Sequence, residues 1–260
     1  MITFSEISGS LLRTKDVWER NFRVFMKTWK VNFLPPFIEP ILYLLALGFG
    51  VGSFINAIEG VSYARFIAPG LVAISVMNAS FFECTYASFV RMYYQKVFDA
   101  IIATPVGIDE VILGEILWGT TKGVLYGCAV SLVLIIAGLL EVNLIFLLIP
   151  AILISGFLFA AIGMCFTAIS PSIDTLNYPA FLFITPMLLF AGTVFPLSVL
   201  PHVALGVAMI MPLTHSVEMM RSLSGIAPGG FFLFSVLFVI FFSSISAIYA
   251  IKRMHRRLIV

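Results

Sequence analysis

Long stretches of this chain contain no charged residue, and this feature limits what the chain can fold into more than any other. From Thr175 to Val217 there is no Asp, Glu, Lys or Arg. About 20 apolar residues in a helix cross the hydrocarbon core of a bilayer, and a helix satisfies its own backbone groups where lipid cannot. With 61% hydrophobic residues and a mean hydropathy of +1.09, the sequence predicts an all-α polytopic membrane protein.

Apolar runs of span length recur along the chain, and they predict six transmembrane helices in a single transmembrane domain that covers residues 1–260. The uncharged run from Thr175 to Val217 is longer than one span needs, and five prolines divide it. We therefore expect one span followed by a re-entrant segment at 200–223, whose irregular backbone needs protein or a water-filled cavity around it. The predicted spans are 33–55, 66–90, 111–140, 144–169, 176–195 and 231–251.

The long charged interruption between the first and last thirds of the chain runs from Arg91 to Glu115. It starts as a short amphipathic helix, which ends at Thr104 and Pro105 because proline lacks a backbone donor and restricts the residue before it. The pattern predicts a folded elbow at 91–105 through which a soluble partner moves two spans at once. A plain loop is the alternative.

Residues 11–30 form a basic amphipathic pattern, in which the aromatic stripe is Trp18, Phe22, Phe25 and Trp29. Tryptophan and basic side chains both suit the headgroup region, so we predict an interfacial helix in the membrane plane. A soluble helix packed on a partner is the alternative. Twelve of the 15 Lys and Arg residues fall on one side of the six-span topology, which places both termini and the elbow in the cytoplasm.

Motifs for catalysis are absent from the sequence. It has no GxxxxGK(S/T) for ATP, no grouped His and Cys residues with metal-ligand spacing and no GxSxG nucleophile. We therefore expect that this chain is not an enzyme, that it binds no metal or other cofactor itself, and that it has no nucleic-acid partner.

A few charges are predicted to lie inside or at the ends of spans, and such charges usually face the protein interior or mark a functional position. Glu83 is the deepest acid, and Lys122 is placed to neutralise it or to reach lipid phosphate. A buried structural pair is the alternative to a functional role, and a proton relay would need a longer series of such groups. The charges in question are Glu39, Glu83, Glu115, Lys122 and Glu218.

The order of elements along the whole chain resembles that of the ABC-2 type exporter permeases: a basic interfacial helix, two spans, and an elbow that ends in Thr104-Pro105. Three motifs follow, Leu113-Gly114-Glu115, Phe190-Ala-Gly-Thr-Val-Phe195-Pro196, and Pro212-Leu-Thr-His215 with Glu218 and Arg221. Within that family the run Ala68-Pro-Gly-Leu-Val-Ala73, and the run from Phe82-Glu83 to Gly114-Glu115, look most like the permeases that export nodulation factors, which are lipo-oligosaccharides. The match is loose at the N-terminus, so a drug or other lipid exporter of the same family is the alternative.

The resemblance implies a homodimer of permeases, paired with two separate ATP-binding cassette subunits that bind ATP and Mg. It implies a plasma (bacterial inner) membrane location and an amphiphilic substrate, a lipo-oligosaccharide or glycolipid, moved outward among membrane lipids. The elbow would contain the coupling helix that contacts the ATPase, with candidate residues Arg91, Lys96, Val97, Phe98, Asp99, Ile101, Ile102, Thr104 and Pro105. Candidate pathway or gate residues are Glu83, Lys122, Phe190, Gly192, Phe195, Pro196, His215, Glu218 and Arg221. The interface helix would present Trp18, Phe22, Phe25 and Trp29.

These expectations lead to a mechanistic hypothesis in which ATP draws the two elbows together and opens a passage between the two protomers. Phe98, Ile101 and Ile102 would contact the ATPase through apolar side chains, with Arg91 and Asp99 at the rim. Two other classes of protein are alternatives. A secondary transporter or channel would need no ATPase, and a membrane-embedded scaffold would show no substrate-dependent ATP hydrolysis.

Overall fold

A computed structural model describes residues 4–33, 38, 41–55, 57–58, 60–226 and 229–259. All secondary-structure elements within these ranges are helices, which confirms the all-α prediction. In the described part, four helices are long and apolar enough to cross a membrane, and a fifth span results if one sharply bent pair counts as a single crossing. The protein is therefore a multi-pass helical membrane protein.

The helices are numbered here in chain order. They are α1 (Phe4–Phe33), α2 (Ile41–Phe54), α3 (Tyr63–Tyr94), α4 (Val97–Ile102), α5 (Ile108–Ile136), α6 (Leu144–Ile169), α7 (174–190), α8 (His202–Ile210), α9 (Pro212–Leu223) and α10 (Phe232–Leu258). The four long apolar helices are α3, α5, α6 and α10, and the bent pair is α8 and α9, which meet at 86°.

The predicted first span, 33–55, lies partly outside the described residues. Pro35, Pro36, Glu39 and Pro40, which the sequence places at its start, belong to that part. The described remainder, α2, is apolar but too short to cross a bilayer by itself.

The central helix is α3, which packs against both α5 and α6. It begins at Tyr63, where the Ser62 side chain accepts a hydrogen bond from the backbone N–H of Arg65 at 3.4 Å. Three of its phenylalanines, Phe66, Phe81 and Phe89, are fully buried. Around this core, α10 packs on α6, α1 packs on α5, and α9 contacts both α3 and α10.

Two glycines of α5 allow unusually close helix contacts. A Cβ atom on Gly123 would lie 2.0 Å from Ser80 Oγ on α3, and one on Gly114 would lie 2.6 Å from Val17 Cβ on α1. Small residues at such positions allow helix backbones to approach each other inside a membrane. The two glycines therefore allow α5 to pack closely against α1 and α3.

The second half of α3 contains two wide helical turns, Glu83–Ala87 and Val90–Tyr94, in which a backbone N–H bonds to the carbonyl five residues earlier. In a regular α-helix, Glu83 and Arg91 would be separated by about 80° around the axis. Wider turns reduce the rotation per residue, so both side chains face the same neighbour. These turns also carry α3 to Tyr94, beyond the predicted end at residue 90, and Arg91 is therefore part of the long helix.

Candidate functional site

A buried cluster of charged side chains connects α3 to α5, and Arg91 lies at its centre. The Arg91 guanidinium bonds to Glu83 Oε1 through Nη1 at 2.8 Å and to Glu115 Oε2 through Nη2 at 2.6 Å. The side chains of Arg91, Glu83 and Glu115 are 14%, 5% and 0% exposed. Because ions this deeply buried lose their hydration, each depends on the others for compensation. We call these three residues, together with Lys122, the charge network.

Further donors complete the shell around both carboxylates. Glu83 also accepts hydrogen bonds from Lys122 Nζ at 2.8 Å and from the indole N–H of Trp118 at 2.9 Å. Glu115 accepts one from Ser88 Oγ and one from Asn21 Nδ2, each at 2.7 Å. Since all four carboxylate oxygens are engaged, the network is a closed structure that joins α1, α3 and α5.

Glu83 and Lys122 are in direct contact, which is one of the two possibilities that the sequence left open for Lys122. Their role in a pathway stays a prediction, because the contact by itself also suits a structural pair. The sequence analysis placed Glu115 among the charges near spans and in the Leu113-Gly114-Glu115 motif, but it did not predict the ion pair with Arg91. Asn21, Ser88 and Trp118 were missed, because hydrogen-bond partners 27 to 94 residues apart leave no trace in local periodicity.

A cavity of about 680 Å³ lies beside the charge network, between α1, α3 and α5. Its walls combine basic, acidic, amide and aromatic side chains, which is unusual for an interior that is otherwise apolar. The lining residues are Arg20, Asn21, Val24, Phe25, Thr28, Ser75, Asn78, Ala79, Phe82, Glu83, Tyr86, Ala87, Val90, Arg91, Gln95, Trp118, Lys122 and Tyr126.

The N-terminal helix α1 packs onto α5 along a stripe that differs from the aromatic stripe seen in the sequence. The buried residues are Thr14, Val17, Asn21 and Phe25, at the helical spacing of three or four. Of the four aromatic residues predicted to define the helix, Phe25 is buried, and Trp18 donates its indole N–H to Thr121 Oγ1 at 2.9 Å. Phe22 lies edge-on to Trp118, and Trp29 is 43% exposed. An orientation in the membrane plane stays a prediction.

The elbow contains the short helix α4, which begins after Lys96, a residue with a left-handed backbone (φ 55°). Phe98 on α4 is 0% exposed and belongs to the same apolar cluster as Phe89 and Ile112. The expectation that Phe98 lies on the docking surface is therefore wrong, because the apolar face of α4 covers the protein's own bundle. Arg91 is likewise not at the rim, since it is buried in the charge network.

The remaining predicted elbow residues divide between the bundle and the surface. Val97, Ile101 and Ile102 are half-buried, whereas Lys96, Asp99, Thr104 and Pro105 are exposed. Lys96 and Asp99 approach each other at 3.6 Å. The exposed face also includes Ala100 and Ala103, which the sequence did not single out because small side chains carry no chemical signal.

Both chain ends are tied to the start of α5, next to the elbow. Arg13 Nη2 lies 2.6 Å from Glu110 Oε1, and Glu110 also accepts the backbone N–H of Gly107 at 2.7 Å. Near the other end of the chain, His255 bonds to Asp109. These contacts hold α1 and α10 against the helix that follows the elbow.

The predicted re-entrant segment corresponds to α8 and α9, and its second helix is mostly buried. His215 lies against the Phe238 ring, 3.8 Å between ring centroids, and its Nε2 is 2.9 Å from the carbonyl of Met209. Arg221 is 4% exposed, donates to the carbonyl of Gly192 at 2.7 Å, and stacks over Phe66 at 4.1 Å. The arrangement fastens α9 to α3 and to the loop before α8.

The other predicted gate residues surround this region. Gly192 has a left-handed backbone (φ 73°), which glycine adopts without strain. Phe190 is exposed, Phe195 and Pro196 are half-buried, and Glu218 lines a second cavity of about 280 Å³ together with His215. In the described part of the chain, no group of three or more His, Cys, Asp or Glu residues has the arrangement of a metal site.

Comparison with known proteins connects this arrangement to a family. The profile described as "ABC-2 type transporter" matches residues 14–224. Nodulation protein J of Rhizobium meliloti (strain 1021) is 39% identical over 206 residues, which cover 79% of this chain and 78% of that protein. Nodulation protein J of Rhizobium leguminosarum bv. trifolii is 36% identical over 215 residues, 83% and 82% of the two chains. Inner membrane transport permease YadH of Escherichia coli (strain K12) is 24% identical over 207 residues, 80% of each. The matched segment includes the charge network, the elbow and the bent helix pair, and the chain belongs to the ABC-2 type transporter family as a transmembrane permease.

Proposed function

We propose that this chain is the transmembrane subunit of an ATP-binding cassette exporter in the bacterial inner membrane. Two copies pair, and each works with a separate ATPase subunit, which binds ATP and Mg and carries out the hydrolysis. The substrate is an amphiphile, a lipo-oligosaccharide or glycolipid, because the matched relatives include proteins named for nodulation. A drug or another lipid is the alternative substrate within the same family.

The proposed topology has six spans with both termini in the cytoplasm. The four long apolar helices supply spans two, three, four and six, α2 belongs to the first span, and α7 supplies the fifth. The 86° bend between α8 and α9 supports a re-entrant segment between the fifth and sixth spans. The excess of Lys and Arg on the side of the elbow supports the orientation.

The coupling role is proposed because the two faces of α4 differ: one is buried against the bundle and the other is exposed. On one side Phe98 is fully buried in the bundle, and on the other Ala100 and Ala103 are exposed. Small side chains allow a partner to approach the backbone closely, while a buried phenylalanine transmits any displacement of the helix to its neighbours. In this proposal α4 is the coupling helix, and the ATPase contacts it through Asp99, Ala100, Ala103, Thr104 and Pro105.

The charge network then determines which helices move with the elbow. Arg91, the first residue of the predicted elbow, lies on α3 and joins α3 to α5 through Glu115, and Asn21 adds α1. These helices are therefore expected to move as one unit. The pathway is placed between the two protomers, because a six-helix unit is too small to enclose a passage of saccharide width. An ion-driven transporter is less well supported, since Glu83 and Glu115 are both fully engaged.

A substitution on the exposed face of α4 tests the proposal. We expect Ala100→Arg to abolish the stimulation of ATP hydrolysis by the permease while the chain still inserts and folds, because the added side chain blocks close approach. The measurements are co-purification of the ATPase subunit with the tagged permease, and ATP hydrolysis by the purified complex.

A matched control is Ala57→Arg, which adds the same side chain at an exposed position away from the elbow and should leave ATP hydrolysis unchanged. Normal co-purification and normal ATP hydrolysis with Ala100→Arg would contradict the assignment of α4. A lone wild-type oligomer with no associated ATPase would contradict the exporter proposal as a whole.

A further inference from the structure

The charges around the cavity beside the charge network do not balance. Three cations, Arg20, Arg91 and Lys122, lie at or near its walls with two carboxylates, those of Glu83 and Glu115. One positive charge is therefore left over within this set, to which Asp16 and Glu19 do not belong, because they line a different cavity with Arg20. An excess of this kind in a partly dehydrated site favours an anion as the occupant.

The uncompensated cation is Arg20. Within the described ranges no carboxylate lies within ion-pair distance of it, and its Nη1 donates instead to the neutral side chain of Asn21 at 3.0 Å. Burial lowers the pKa of Arg20 and nearby Arg91 lowers it further, while Glu115 opposes the change. Arg20 belongs to α1 and not to a span, and it lines the cavity.

A second polar group in the same cavity also lacks a counterpart. Asn78 on α3 lines the cavity, and its side-chain oxygen is buried with no hydrogen-bond partner among the described residues. A buried acceptor without a donor is destabilising, and rotation of the Asn78 amide about its Cβ–Cγ bond would present this oxygen to a ligand hydroxyl in the cavity. The site thus has one group suited to an anion and another suited to a hydroxyl.

The rim of the cavity is apolar. Val24 on α1 and Phe82 on α3 are 52% and 36% exposed, and both line the cavity. On a multi-pass membrane protein, exposed apolar side chains suit acyl chains. The volume of about 680 Å³ is within the range of small-ligand sites, which is enough for a headgroup but not for a whole lipid.

We propose that this cavity binds the phosphate headgroup of an anionic membrane lipid. Arg20 contacts the phosphate, Asn78 accepts a hydrogen bond from a headgroup hydroxyl, and the acyl chains leave over the rim formed by Val24 and Phe82. The site is separate from the passage proposed between protomers. It goes beyond the transport role and needs no ATPase, so its failure would leave the proposed function intact.

Native mass spectrometry of the full chain in detergent, titrated with defined ligands, tests this site. Phosphatidylglycerol supplies phosphate, hydroxyls and acyl chains, diacylglycerol supplies the chains without phosphate, and glycerol 1-phosphate supplies the headgroup without chains. We expect phosphatidylglycerol to bind at least roughly tenfold more tightly than either of the others. Arg20→Gln should weaken it roughly tenfold, because a charge-assisted hydrogen bond is lost.

The matched control is Arg23→Gln on the same helix, because Arg23 is exposed and already paired with Glu19 at 2.6 Å. It should bind phosphatidylglycerol like the wild type. Asn78→Leu is a second variant, expected to weaken binding, which keeps the test decisive if Arg20→Gln folds poorly.

Three results would each overturn the proposal. Equal binding by the folded Arg20→Gln and Arg23→Gln variants would remove Arg20 from the site. Equal binding of diacylglycerol would mean that the phosphate is not recognised. Equal binding of glycerol 1-phosphate would identify a site for soluble phosphate esters and not for a lipid.

Discussion

The two ends of the bundle each contain a buried arginine, but the two are held in different ways. Near the elbow, Arg91 makes ion pairs with two carboxylates, on α3 and α5. In the re-entrant region, the contacts of Arg221 include the carbonyl of Gly192 and the face of Phe66. The first arginine thus has charged partners on two helices, and the second has a backbone carbonyl and an aromatic ring among its contacts.

This difference indicates different mechanical roles. A guanidinium between two carboxylates compensates buried charges that would otherwise be very costly, so the helices that carry them have to move together. A guanidinium against a carbonyl and a ring fixes local geometry at a more modest energy. We therefore interpret the elbow end as the part that moves as a unit, and the Arg221 contacts as a fastening for α9.

The largest effect is expected from Arg91→Met. The change leaves Glu83 and Glu115 buried with an uncompensated negative charge, and breaking a buried pair in this way costs about 3–5 kcal/mol. We expect a large fall in the thermal unfolding temperature of the detergent-solubilised protein, or no folded protein at all.

A compensated variant distinguishes charge from packing as the cause. Arg91→Met combined with Glu115→Gln removes one charge of each sign and leaves Glu83 paired with Lys122. This double variant should recover most of the stability, because neutral replacements of buried ion pairs are often tolerated. If the double variant were as unstable as Arg91→Met, the contribution of Arg91 would be packing, and the contrast with Arg221 would be lost.

A smaller effect is expected from Arg221→Met. Loss of the hydrogen bond to Gly192 and of the stacking on Phe66 should cost about 2–4 kcal/mol. Because these contacts are local, hydrogen exchange should increase mainly in residues 190–223, with the elbow unaffected. Arg221→Lys, which keeps the charge but not the planar group, should fall between the variant and the wild type. Faster exchange at the elbow would show that the two regions are coupled.

The class of protein and the long helices could be predicted from the sequence. The mean hydropathy of a segment of about 20 residues shows whether it can cross a bilayer, whichever helices it packs against. Leu144–Ile169 is a helix in the range predicted for a span, and α8 with α9 occupies most of the range predicted to be re-entrant. In each case the element follows from a local property of the sequence. The uncharged run gives the length of the helix, and the prolines give the positions where a helix is interrupted.

The candidate site was predicted less well, because its geometry depends on which helix faces pack against each other in the folded protein. An amphipathic helix as short as α4 has an apolar face, but its sequence does not say whether that face covers the same chain or a partner. Phe98 was therefore assigned to the wrong surface. The wide turns of α3 bring Glu83 and Arg91 to one side, and neither those turns nor the contact between Asn21 and Glu115 has a sequence signature.

The smallest effect is expected from Lys122→Met, which tests how far the charge network depends on its outermost member. Lys122 is 18% exposed and holds one oxygen of Glu83, while Arg91 and Trp118 hold the other. Because Glu83 stays paired, the loss should be about 1–2 kcal/mol, well below that of Arg91→Met and below that of Arg221→Met. Thermal unfolding of the three variants under the same conditions gives the order. If Lys122→Met lost as much stability as Arg91→Met, Glu83 would depend on Lys122 to compensate its charge. The centre of the network would then lie between α3 and the middle of α5, farther from the elbow.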